Sequence, residues 1–271
     1  MNDLEKTLAL NEKQRAFYNS EHPNKAGIAS RIWSGFRNGL LSKFRDSYNV
    51  KTRVYDEHKI WLGDLTNKKV LDLGCLRGNA LSFYMAEHAA QYIGIDLSEE
   101  AIQILQGRLE EKKYPNASTI AIDFLSPTFE EHNFDVIYAY GVLHHFENFD
   151  LLIKKLNEKL SEKGVIISYD PLETSPPIKF VRMLYRPFQL DKAWEWPFTK
   201  KVLAKLDQHF TIKEQRGILG SSKYGILINL LPLTKSYKNR VIKKLVEKDW
   251  KAATLKDVYP CMHTTMLLQK K

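Results

Sequence analysis

The sequence predicts an α/β chain built on a doubly wound, mostly parallel sheet, and three observations carry that expectation. Short apolar runs that read as buried strands alternate with amphipathic stretches that read as helices, the order required when both faces of a parallel sheet are covered. Three successive strands end in aspartate, at Asp72, Asp96 and Asp123. The first of them runs into a glycine-bearing turn that opens a helix.

Taken in order, residues 1–65 read as a helical N-terminal extension or lid, with Phe17, Ile28, Ile32, Trp33, Phe36, Leu40 and Phe44 at three-to-four spacing. Residues 66–271 read as the main domain. Strands are expected over 69–74, 92–97, 118–124, 134–140 and 164–170, giving five strand-helix units in one direction. Helices are expected over 79–88, from a Ser98 cap to about 113, and over 149–161. Regularity then stops, and Pro171, Pro176, Pro177, Pro187 and Pro197 punctuate a cap insertion over 173–198. Thr199 caps a further helix to about 209. The stretches 210–216 and 263–269 fit an antiparallel terminal pair, with a second insertion over 218–260.

Composition bounds the class. The chain has 271 residues, 44% of them hydrophobic and 27% charged, which is ordinary globular usage with enough length for a sizeable core. Its formal charge of +9 suits anionic partners. The nucleic-acid signatures are absent: no zinc-finger spacing, no aromatic RNA-binding strand and no dense basic block with interleaved aromatics. Cys75 and Cys261 have neither disulfide nor metal-ligand spacing, and no metal is expected. With no secretory signal in MNDLEKTLALNEKQ and no run long enough for a membrane span, the expected compartment is the cytoplasm.

The chemistry is carried by VLDLGCLRGN, which holds Asp72, Gly74, Cys75 and Gly78. A glycine there lets the backbone approach a bound nucleotide and adopt positive φ. A tight strand-to-helix connection is the bland alternative. Asp96, followed by Leu97, lies where a doubly wound nucleotide fold puts an acid on ribose hydroxyls, and Asp123 with Phe124 ends the next strand. A nicotinamide dehydrogenase would show glycines at Leu76 and Asn79, and both are absent. The arrangement is therefore Rossmann-like without the dinucleotide fingerprint.

On these residues, over about 66–172, the chain resembles the class I S-adenosylmethionine-dependent methyltransferases, particularly the small-molecule group of ubiquinone and menaquinone biosynthesis. The resemblance implies that VLDLGCLRGN holds the methionine part of S-adenosylmethionine, Asp96 the ribose, and Asp123 with Phe124 the adenine. It also implies that YAYGVLHHFEN, with Tyr140 and Gly141, forms a loop between cofactor and acceptor. One departure is Leu76, where the family usually has a third glycine; its side chain must turn away from the cofactor or narrow the pocket.

Methyl transfer needs an oriented acceptor and, at oxygen, a proton acceptor. His145 and His144 follow the fourth strand and are the candidate bases, with Asp170 as a further catalytic candidate. Tyr169, Arg186, Trp194, Trp196 and Tyr18 are candidate acceptor contacts. Aromatic residues with basic neighbours in the cap suit an amphipathic small-molecule acceptor, or peripheral contact with a membrane surface. The run GILINLLPL at 225–233 reads as a buried helix or a shallow membrane dip. An RNA methyltransferase and an inactive cofactor-binding regulatory protein are the alternative readings; the first lacks the N-P-P-Y type of motif.

Overall fold

The computed structural model describes residues 2–19, 39, 42–189 and 192–271. It contains a seven-stranded sheet in the order β3-β2-β1-β4-β5-β7-β6. The strands are β1 (Lys69–Leu73), β2 (Gln91–Asp96), β3 (Ala117–Ala121), β4 (Phe134–Tyr140), β5 (Leu160–Pro171), β6 (Phe210–Ile218) and β7 (His263–Lys270). The first five pair in parallel, and β7 runs antiparallel between β5 and β6. The order reverses at β1, where β2 leaves on one side and β4 on the other. At that switch point the carboxyl ends of the strands diverge and leave a crevice.

Alternation along each strand builds a core on both faces. Leu71, Ile93, Ile137 and Ile166 point into one cluster, and Val70, Tyr92, Val136 and Ile167 into the other. The first cluster is covered by α6 (Phe149–Lys159) and α8 (Lys200–His209); the second by α3 (Val50–Leu62), α4 (Ala80–His88) and α5 (Glu99–Glu111). In α6, Phe149, Leu152, Ile153 and Leu156 share one buried face, and the Asn148 side chain accepts from the Leu151 amide to start the helix. Burying Leu152 or Leu156 contributes about 2 kcal/mol each.

Three features differ from the sequence expectation. No helix joins β3 to β4: residues 122–133 form turns, because Asp123 and Ser126 accept hydrogen bonds from the Leu125 and Thr128 amides, which competes with helix formation. β5 starts four residues before the expected 164, at Leu160. The run 225–233 is not a buried helix throughout: α9 (Gly225–Leu230) precedes α10 (Lys235–Trp250) and α11 (Leu255–Val258), and it buries Gly225 and half-buries Ile226 and Ile228 while Leu227, Leu230, Leu231 and Leu233 are exposed. The first cap insertion holds α7 (Pro176–Tyr185), whose Phe180, Met183 and Leu184 are also exposed.

At the N-terminus, α1 (Asp3–Asn19) packs Leu4 and Leu8 on the first cluster, and α2 (Ser42–Ser47) precedes α3. Ile28, Ile32, Trp33, Phe36 and Leu40, and the side chains of Phe44 and Tyr18, lie outside the described residues.

Candidate active site

A cavity of about 360 Å³ opens at the switch point, in the usual range for a small-molecule site. Its floor is the turn after β1. Gly74 takes a φ of +68°, and a Cβ there would lie 2.4 Å from a Val142 methyl. The glycine therefore permits close approach of the β4 loop, and it lines the cavity as well. Leu76 takes a left-handed φ of +49°, a conformation that costs an L-residue about 1 kcal/mol. Its amide donates to Asp96 Oδ2 at 2.9 Å, and its side chain, 56% exposed, lines the cavity.

Asp96 and Asp123 both line this cavity; Asp72 does not. Asp96 accepts from the Leu76 and Ser98 amides at 2.9 Å each, leaving its remaining lone pairs for hydroxyl donors. Asp123 accepts from the Leu125 amide at 2.9 Å and from the Asn11 side chain at 2.8 Å. Burial raises the pKa of both carboxyls, and their hydrogen bonds pull it back. Asp72 is buried behind the turn, where the Tyr92 hydroxyl donates to it at 2.8 Å. Burial pushes its carboxyl up to about 6, against the lowering effect of Ser82 and Tyr92. It braces the turn rather than facing a ligand.

Of the other expected cofactor contacts, Gly74, Cys75, Gly78, Leu97, Phe124, Tyr140 and Gly141 all line the cavity. Leu97, Ile95, Ile122 and Phe124, neighbours in sequence of the two aspartates, give the same cavity an apolar lining. The sequence reading missed Asn11 and Gln14 of α1, both buried and both on the cavity wall. Their signal is an uncharged polar stripe, Thr7, Asn11 and Gln14, at helical spacing within a highly charged segment.

Past the β4 end, His144 and His145 share a single 3-10 turn with ring centroids 4.1 Å apart. His145 lines the cavity, and its Nδ1 lies 2.5 Å from the Trp194 carbonyl oxygen. That carbonyl can only accept, so Nδ1 carries a proton, and in the neutral form of the ring Nε2 is the acceptor nitrogen. His144 is buried, with Nδ1 2.9 Å from Asp170 Oδ1. Asp170 is buried completely, its other oxygen has no hydrogen-bond partner, and burial raises its pKa while His144 lowers it.

The acceptor candidates separate. Tyr169 stacks between Tyr140 at 4.7 Å and His263 at 5.3 Å, and burial pushes its hydroxyl up to about 12 while the nearby Arg45 guanidinium lowers it. Burial holds the His263 imidazole down to about 3, helped by the neighbouring charges of Arg182 and Arg45. Trp194 and Trp196 hold the histidine turn: Trp194 through its carbonyl, and Trp196 through an amide that donates to the His144 carbonyl at 2.7 Å. Arg186 is exposed and donates to the Lys192 and Glu195 carbonyls, away from this cavity, because its insertion uses it to close its own loop. Among the described residues no group of side chains is arranged to hold a metal ion.

A sequence model of the family described as "Methyltransferase domain" matches residues 64–211, more than half of the chain. Over 142 residues, 52% of this chain, it is 34% identical to a ubiquinone biosynthesis O-methyltransferase of Idiomarina loihiensis. Over 162 residues, 56% of the chain, it is 28% identical to a demethylmenaquinone methyltransferase of Lactococcus lactis. The aligned segments cover 56% and 62% of those relatives, so the chain spans little more than half their length. Among solved structures, geranyl diphosphate C-methyltransferase of Streptomyces coelicolor superposes with a TM-score of 0.59 at 11% identity, covering 96% of this chain and 98% of that one. That likeness extends the Rossmann-like fold over nearly the whole molecule. The chain belongs to the methyltransferase-domain family.

Proposed function

We propose that the chain is an S-adenosylmethionine-dependent methyltransferase acting on a small or lipid-like acceptor, with transfer to oxygen. The observation that carries this reading is the pair of carboxylates, Asp96 and Asp123, on the wall of one cavity that is otherwise lined by apolar side chains and a glycine-bearing turn. Asp96 has lone pairs for both ribose hydroxyls. Asp123 and the Asn11 amide offer an acceptor and a donor to the edge of an adenine, with Phe124 and Leu97 against its faces. The turn holding Gly74, Cys75 and Gly78 borders the place for the amino-acid end. Bound there, the cofactor supplies an electrophilic methyl group on a sulfonium.

The chain's own task is to orient the acceptor, exclude water and take a proton. His145 is the proposed proton acceptor, because it borders the cavity and its tautomer leaves Nε2 basic. The His144–Asp170 pair supports a second reading, with His144 as the base and Asp170 as its positioning residue. The positive charges of Arg182 and Arg45 act on His263, whose ring stacks on Tyr169 and through it on Tyr140 of the cavity wall, and a ring stack in a positive field favours an acceptor that joins a planar ring to an anionic group. The names of the two curated relatives agree with a quinone-related phenol.

The test is release of S-adenosylhomocysteine from S-adenosylmethionine with phenols bearing a carboxylate. Turnover is expected, and His145→Ala lowers kcat by about 10²–10⁴ with cofactor affinity kept. Unchanged turnover in His145→Ala assigns that residue to structure, and the same assay on His144→Ala decides the second reading. Cofactor binding with no transfer to any acceptor favours the regulatory alternative.

A further inference from the structure

The second insertion, 218–260, carries a surface that the proposed reaction does not use. Residues 229–237 are nine consecutive exposed positions that include Leu230, Leu231, Leu233 and Tyr237. Leu230 is 78% exposed and Leu227, just before it on α9, is 60% exposed. A leucine left in water gains none of the free energy of burial, so a contiguous run of exposed leucines marks contact with another apolar phase. The inner sides of the same elements are well anchored. Ile226, Ile228 and Ile242 pack with Val50, Val54 and Ile218, and the Thr234 hydroxyl accepts from the Tyr237 amide to cap α10.

The outer side of α10 is basic. A shallow groove along it is lined by Arg240, Lys243, Lys244, Glu247, Lys248 and Lys251. Glu247, the acid in that groove, is already paired with Arg53 at 2.6 Å. The other acid of the helix, Asp249, is buried and accepts from the amides of Gly220, Ser221 and Ser222. Asp249's charge is spent inside the fold and Glu247's on a surface ion pair with Arg53, while Lys243, Lys244, Lys248 and Lys251 face solvent.

We infer that the exposed leucines of 227–233 and the basic face of α10 form a docking surface for an anionic phospholipid leaflet. The leucines and Tyr237 enter the interface and the lysines meet headgroup phosphates. A second copy of the chain fits less well, since a two-fold contact through this face sets two basic helices against each other. A nucleic-acid strand would use the lysines but leave the leucines in water. The cluster beneath the surface also contains Tyr55, Tyr140 and Tyr169. Docking therefore sets the acceptor end of the candidate site close to the leaflet, as a lipid-like acceptor requires. The surface itself is independent of the catalytic proposal.

Sedimentation with vesicles of phosphatidylcholine, with and without phosphatidylglycerol, tests this without any turnover. The wild type is expected to sediment with the anionic vesicles and to be released by salt. Leu230→Ser with Leu231→Ser, and separately Lys243→Glu with Lys244→Glu, each lower the bound fraction about tenfold or more. All four positions are solvent-facing, so the melting temperatures stay at the wild-type value. The inference is overturned by failure of the wild type to bind anionic vesicles or by wild-type binding in both variants. It is equally overturned if binding is lost only on changing Phe180, Met183 and Leu184 of α7. Dissociation of a dimer by the leucine variant would give the surface to a second copy, and RNA competing the protein off vesicles only through the lysines would give it to nucleic acid.

Discussion

The two ends of the candidate site are built differently. The cofactor end draws on consecutive short segments, the β1 turn and the ends of β2 and β3, and its polar contacts are mostly between carboxylates and backbone amides. The proposed acceptor end lies beyond Tyr140 of the cavity wall, where α2, β5, α7 and β7 bring together long side chains, Arg45, Tyr169, Arg182 and His263. A site fixed by backbone geometry should break through the fold, whereas one fixed by side chains should change its ligand and leave the fold intact.

The largest contrast is therefore expected between Gly74→Ala and Arg45→Ala. A Cβ at Gly74 combines left-handed strain with a clash against Val142, which costs about 3 kcal/mol and shows as a lower melting temperature. Arg45→Ala should leave the melting temperature within a degree or two. It raises KM for an anionic acceptor about tenfold and leaves cofactor affinity unchanged. A common loss of stability in both variants would abolish the distinction.

An intermediate effect comes from pH. His58 is fully buried between the Tyr138 hydroxyl and Thr265, and burial holds its imidazole down to about 3. Below 6.5 the unfolded chain takes up a proton that the folded chain refuses. The stabilisation is thus complete above pH 6.5 and is lost as the pH falls toward 3. At pH 5 this amounts to about 2 kcal/mol. Asp72 works in the opposite sense: its raised carboxyl adds stability below 3.8 that is lost as the pH rises through about 6. Denaturant titrations at pH 7 and 5 should show wild type losing stability on acidification, and His58→Gln losing less.

The smallest effect is expected at Leu76. Leu76→Gly relieves the left-handed strain and adds chain entropy to the unfolded state, so stability changes by less than about 1 kcal/mol. A calorimetric affinity for S-adenosylhomocysteine within about threefold of wild type would assign this side chain to the cavity mouth. A much tighter variant would mean that Leu76 narrows the pocket.

The sheet, its order of strands and helices, and most of the cofactor wall were legible, because strand alternation and a turn motif are local in sequence. Asp72 was misplaced because a strand-ending aspartate looks the same whether it faces a ligand or, as here, the Tyr92 hydroxyl behind the turn. Gly74 lies on the cavity wall as expected, but its close approach to Val142 was not legible, since Val142 is distant in sequence. Asn11 on the cavity wall, and the proposed acceptor residues Arg45, Arg182 and His263, were not legible, because their placement depends on how separate elements pack. The exposed leucines of 227–233 were seen as an apolar run, but only coordinates distinguish a buried run from one facing solvent.

The central claim is that Asp96 and Asp123 grip one adenosyl group within the same cavity. It is tested most directly by calorimetric titration of S-adenosylhomocysteine into wild type, Asp96→Ala and Asp72→Asn. Binding to wild type with one site per chain, lost by a hundredfold or so in Asp96→Ala and largely kept in Asp72→Asn, is the predicted result. Equal affinity in wild type and Asp96→Ala, or no binding to a folded wild type, would contradict it.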